Sequence, residues 1–98
     1  MATDKRRDYE LVVILSPDAT EAEVDTSNEG TAAFITERGG SIGETNNWGL
    51  RRLAYPIKKF QEGNYAVTRF TLDPQGAQAL GQSLETSEQV LRHLIVKV

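Results

Sequence analysis

Residues 48–72 read WGLRRLAYPIKKFQEGNYAVTRFTL, and the fold turns on how they are assigned. Core strands do not carry adjacent arginines such as Arg51 and Arg52. Solvent loops seldom carry Trp48, Leu50, Leu53, Tyr55 and Ile57 in so short a span. A strand at the edge of a sheet accommodates both kinds of residue. Pro56 supports that placement, because a proline cannot donate to a ladder and is tolerated only where one side is unpaired. "KKFQEGN", residues 58–64, then reads as a hairpin connection, and "YAVTRFTL", residues 65–72, as the return strand.

Working outward, residues 41–57 form one extended segment with "NNWG" as a turn or bulge inside it. "DYELVVIL", residues 8–15, is a compact Val, Ile and Leu run expected to be buried on both sheet faces and closed by Ser16 and Pro17. Thr20 and Glu23 have capping-box spacing, so a helix starts there and runs to Arg38, where Gly39 and Gly40 stop it. Its middle, "TSNEG", is a poor helix former, and Val24, Thr31, Phe34 and Ile35 make its inward stripe. Asp73 and Pro74 open a second helix with Ala77, Leu80 and Leu84 on one face. "VLRHLIVKV", residues 90–98, is the last strand. Strand, helix, strand, strand, helix, strand implies an α+β, ferredoxin-like βαββαβ sandwich. It has a four-stranded antiparallel sheet, two helices on one face, central first and third strands, and the second and fourth at the edges.

The 98 residues are expected to make a single domain, with residues 1–5 flexible. Hydrophobic residues at 39% and charged residues at 26% are ordinary for a soluble globular chain. No apolar stretch approaches a membrane span, and residues 1–8 are polar rather than signal-like. The absence of cysteine excludes a disulfide scaffold and fits a reducing cytoplasm. Net charge is −3, yet it is unevenly placed. Residues 11–47 balance to −6 and residues 48–72 to +4, the latter from Arg51, Arg52, Lys58, Lys59 and Arg69 against Glu62. Local field follows local charge, so an acidic total does not exclude a polyanionic partner.

Catalysis finds little support. His93 is the one histidine and lies within a strand, and no Asp or Glu has an obvious companion for acid–base work. No cluster has metal-ligand spacing, and "GGSIGE" does not join a strand to a helix as a dinucleotide loop does. No enzyme activity, metal or cofactor is therefore expected. Trp48, Arg51, Arg52, Tyr55, Lys58 and Lys59 interleave cations with flat rings, a mixture suited to phosphates and unpaired bases. In an extended segment Arg51, Leu53, Tyr55 and Ile57 share one face, and Arg52, Ala54 and Pro56 the other. The same residues also fit an edge strand guarded against aggregation by its charges. Trp48, Leu50, Leu53 and Tyr55 fit a protein partner, with Trp48 and Leu53 alternatively covering the chain's own core, the favoured reading for any single residue. A small ferredoxin-like regulatory domain that binds a metabolite is the alternative from another class.

"WGLRRLAYPIKK", "EGNYAVTRF", "VLRHLIVKV", the opening "RRDYELVVILSPD" and the junction "ITERGGSI" together resemble the family of the sixth protein of the bacterial small ribosomal subunit. The resemblance extends from Arg6 to Val98. It implies a non-catalytic cytoplasmic, ribosome-bound protein that binds the central domain of small-subunit rRNA as a heterodimer with the eighteenth protein of that subunit. Carried over by position, Arg6, Arg7, Tyr9, Arg51, Arg52, Tyr55, Lys58, Lys59, Arg92 and His93 face rRNA, and Trp48, Leu50, Leu53 and Ile57 serve the protein partner. The sequence departs from the family in "DTSNEGTAA", where a stronger amphipathic pattern is usual, and in ending at Val98 where many members carry a tail.

Overall fold

The computed structural model describes residues 6–57, 59–87 and 90–98. Its elements are β1 (Arg7–Leu15), α1 (Glu21–Glu37), β2 (Ser41–Ile57), β3 (Phe60–Leu72), α2 (Pro74–Glu85) and β4 (Val90–Lys97). The strands form one four-stranded antiparallel sheet in the order β2-β3-β1-β4. This is the expected ferredoxin-like arrangement, and it leaves Pro56 on an edge strand. The flexibility expected of residues 1–5 concerns positions outside the described residues.

One sheet face is covered by the helices. Leu11, Val13 and Leu15 of β1 pack there with Phe70 and Leu72 of β3, Ile35 of α1, and Leu80 and Leu84 of α2. Each such side chain gains about 1.5–3 kcal/mol from burial. The opposite, open face is lined in β1 by Glu10, Val12 and Ile14. Burial of β1 on both faces holds only toward its end: Ile14 is 8% exposed because Leu53 and Leu91 pack onto it, whereas Val12 stays half-exposed.

The helix signals are realised at the backbone. The Thr20 hydroxyl accepts the Glu23 N–H at 3.1 Å, and the Glu23 carboxylate accepts the Thr20 N–H at 3.1 Å, a complete capping box. At the other end Gly39 takes φ +81°, its N–H donates to the Thr36 carbonyl, and the Gly40 N–H donates to the Ile35 carbonyl. The weak middle of α1 is carried by tertiary packing, with Thr31 and Ile35 buried and Val24 and Phe34 partly so. Asp73 stands at the N-cap of α2, but its side chain makes no capping hydrogen bond.

The hairpin connection is a correction. Residues 60–64 are not part of the link: Ile57 already faces Phe60, and β3 begins there. Lys59, at φ +73°, lies in the tight turn. Gly63 misled as a turn signal because its role is close approach. A Cβ there would stand 2.4 Å from Ile14 Cγ2, so only glycine lets the strand cross this point. Pairing of β1 with β3 stops at Leu15 opposite Asn64, so residues 60–63 and the facing part of β2 continue as a two-stranded arm.

Candidate nucleic-acid interface

The arm carries the cations. Arg51 faces Gly63 and Arg52 faces Glu62 in the β2–β3 register, and strand alternation sends the two side chains to opposite faces. Both are exposed, and among the described residues neither makes a hydrogen bond or ion pair. Lys59 is exposed at the turn, and Lys58 lies outside the described residues. Arg69, counted with these in the sequence, is different. Its Nε sits 3.3 Å from Glu10 Oε2 on the open face, so its charge is locally answered.

Tyr55 and Arg92 meet across the open face. The Arg92 guanidinium donates to the Tyr55 hydroxyl and stands 6.0 Å from the ring centroid, linking the arm to β4. The cleft between them is walled by Val12, Ile14, Leu53, Tyr65 and Leu94. Arg92 and His93, adjacent in sequence, diverge. Arg92 lies opposite Ile14 on the open face, whereas His93 lies opposite buried Val13 on the helix side. There a methyl group on Gly81 of α2 would be 3.5 Å from His93 Nε2.

The basic start of the chain is at the far end of the sheet. Arg7 pairs with Leu72 and Leu15 with Asn64, so Arg7 stands about 25 Å from the arm at roughly 3.3 Å per residue. Arg6 Nη1 donates to the Gly39 carbonyl at 3.2 Å, where a cation complements the C-terminus of α1. Arg7 Nη1 donates to the Arg6 carbonyl at 3.1 Å. Tyr9 stacks on Phe70 with ring centroids 5.5 Å apart and packs against the main core, so only part of its ring faces outward.

The apolar candidates also separate. Trp48 is 51% exposed and Leu50 53% exposed, whereas Leu53 is 8% exposed in the chain's own second core and Ile57 packs beside it. Tyr65, read from sequence only as a strand residue, lies parallel to Trp48 with centroids 6.2 Å apart and 7° between planes. Its face, though not its neighbour, was readable: alternation along residues 65–71 puts Tyr65, Val67 and Arg69 together on the side away from Ala66, Thr68 and Phe70. Asn28 of α1 also donates to the Asn47 side chain of β2 at 2.9 Å, a tie between helix and edge strand that carries no sequence signal.

Among the described residues no group of three or more His, Asp or Glu gathers as a metal site, and no helix is long and apolar enough to cross a membrane. The fold and this surface define a ferredoxin-like α+β protein with its polar chemistry displayed on an edge arm. Residues 8–97 match the family model described as Ribosomal protein S6. The small ribosomal subunit protein bS6 of Dehalococcoides mccartyi is 40% identical over 92 residues, covering 94% of this chain and 84% of that protein. The bS6 of Paenarthrobacter aurescens is 43% identical over 91 residues, 93% of this chain and 90% of that one. The crystal structure of 30S ribosomal protein S6 from Thermotoga maritima superposes with a TM-score of 0.88 at 34% identity, covering 96% of this chain and 89% of that one. The chain belongs to the ribosomal protein S6 family, a family of structural proteins of the small ribosomal subunit.

Proposed function

We propose that this chain binds the central domain of small-subunit rRNA as a heterodimer with the eighteenth protein of that subunit, within the cytoplasmic ribosome. The observation that carries the proposal is the pair Arg51 and Arg52: exposed, unpaired among the described residues, and directed to the two sides of a protruding arm. Cations left without internal partners retain their full capacity for phosphate. Arg51, Arg52, Lys58 and Lys59 form the main phosphate strip, with Tyr55 and Arg92 beside it. Arg6, Arg7 and Tyr9 supply a second contact at the opposite end of the sheet, and His93 contributes from the helix side. Leu50 is the exposed apolar group for the protein partner, with Leu53 and Ile57 fixing the arm from beneath and Trp48 standing between the two surfaces. The acidic α1 packs on the covered face, away from Arg51 and Arg92, so it does not oppose a polyanion on the open side.

Co-purification and filter binding test this. The chain mixed with the purified eighteenth protein should elute as a one-to-one complex. That complex should bind a central-domain rRNA fragment more tightly than either protein alone, with affinity falling as salt rises. Absence of the complex, or affinity indifferent to salt, overturns the proposal.

A further inference from the structure

We propose that Trp48, Tyr65 and Arg51 form a stacking site for one unpaired nucleobase of an RNA strand, with Arg51 holding an adjoining phosphate. This rests on the rRNA-binding proposal and adds to it a contact that phosphate binding alone does not supply. The three side chains line one shallow cleft on the open face. The Trp48 and Tyr65 rings are parallel within 7°, and Trp48 is 51% exposed, so a flat surface faces solvent already oriented. A ring fixed in this way loses little freedom when a base stacks on it.

A break in β2 assembles the cleft. In a regular strand, residues three apart face opposite sides of the sheet, which would separate Trp48 from Arg51. The register shifts between Asn47 and Gly49, where Gly49 takes φ +77°. The extra residue resets the alternation, so Trp48 lies against Tyr65 while Arg51, opposite Gly63, arrives on the same face. Bulges are a known means of re-aiming a side chain. The space beside the bulge is open, since a Cβ on Gly49 would meet nothing within 4 Å, so it is the positive φ and not crowding that calls for glycine.

The surroundings favour a base over a protein side chain. Asn46, Gly49 and Arg51 are exposed around Trp48, whereas alternation turns Leu50 to the other side and Asn47, opposite Ala66, is tied to Asn28 of α1. A small ring pair bordered by an amide and a guanidinium suits a planar ligand with polar edges and a nearby negative charge. A protein hot spot wants a contiguous desolvated patch instead.

Trp48 is the only tryptophan in the chain, so its emission reports the site directly. The probes are octauridylate, octa-adenylate and an RNA duplex of equal length, with binding followed in parallel by anisotropy of labelled RNA. Single strands should quench Trp48 and the duplex should not. Trp48→Ala should weaken single-strand binding by about 5- to 150-fold at unchanged salt slope. Trp48→Phe should retain most of the affinity, and Arg51→Ala should lower the slope by roughly 0.7. Circular dichroism of each variant checks the fold. Single-strand binding with unaltered emission and an indifferent Trp48→Ala overturns the site while leaving the rRNA proposal standing. Loss of eighteenth-protein binding in Trp48→Ala with RNA affinity kept assigns the ring to protein and also overturns it. No RNA binding by the unaltered chain, alone or with its partner, sinks both.

Discussion

Replacing Arg51 and Arg52 together by alanine removes two cations that the fold does not use. Neither has a partner among the described residues and both are exposed, so stability should stay within about 0.5 kcal/mol of the parent. RNA affinity should fall by an amount that salt sets. Each phosphate contact on a single strand or duplex contributes a slope of roughly 0.7–0.9 in log K against log salt. Relative to about 1 M salt, two contacts are then worth about 1.4–1.8 log units at about 0.1 M, a weakening of roughly 25- to 60-fold. At about 0.5 M the same two contacts are worth only about threefold. The single variants should each show half the logarithmic effect, because side chains on opposite faces of the arm meet different phosphates and their losses add. Anisotropy of a labelled central-domain rRNA fragment, titrated with the heterodimer across that salt range, gives the slopes. Far-UV circular dichroism and thermal melting give the control. An unchanged slope would refute the phosphate role. A collapsed melting transition would show instead that the arginines hold the edge strand together.

Two further changes probe the frame that positions the arm. Gly40→Ala should destabilise the fold by more than about 1 kcal/mol, because its Cβ would lie 2.4 Å from the Thr71 carbonyl oxygen and 2.8 Å from Ile35 Cγ2 and Leu72 Cδ1. Unaltered thermal unfolding would contradict that crowding. Leu53→Ala should cost about 2–3 kcal/mol in urea unfolding, since Leu53 is 8% exposed against Ile14 and Leu91. It should also speed amide exchange along the arm, and a protected arm would show that Leu53 does not hold it.

The element order was legible because each boundary has a local cause. The capping box at Thr20, the double glycine after Arg38 and the proline after Asp73 act within a turn of chain, and all stand where the sequence put them. The hairpin was misjudged because Gly63 looks the same in sequence whether it turns the chain or admits Ile14. Only the tertiary neighbour distinguishes these. Leu53 posed a similar difficulty. In an exposed-looking edge strand core cover was the favoured reading for any single residue, while the family resemblance assigned Leu53 to the partner surface; packing against Ile14 and Leu91 of β4, distant in sequence, places it in the chain's own core. The site residues divide along the same line. Arg51 and Arg52 were identifiable from type and spacing, whereas the place of Tyr65 beside Trp48 depends on a register shift that periodicity does not encode.

That shift also explains why the segment's charge balance overstates what is available to a ligand in some places and understates it in others. In the regular part of the sheet, side chains sit opposite fixed neighbours, and polar groups find one another: Arg69 meets Glu10, and the Thr71 hydroxyl donates to Asp8 at 2.9 Å. Such a cation adds less to an outside surface, because the neighbouring carboxylate offsets its charge. β2 slips in register between Ile42 and Thr45, Asn47 and Gly49, and Arg52 and Ile57. As an edge strand it has only β3 for a neighbour, and past the end of β1 the two strands stand alone, so cross-strand partners are few. Arg52 has Glu62 opposite it in register and still forms no ion pair. Among the described residues the irregular edge leaves Arg51 and Arg52 without partners, while the regular centre sets Glu10 beside Arg69. On this basis Arg69→Ala should change RNA affinity far less than Arg51→Ala, although the two residues carry the same charge.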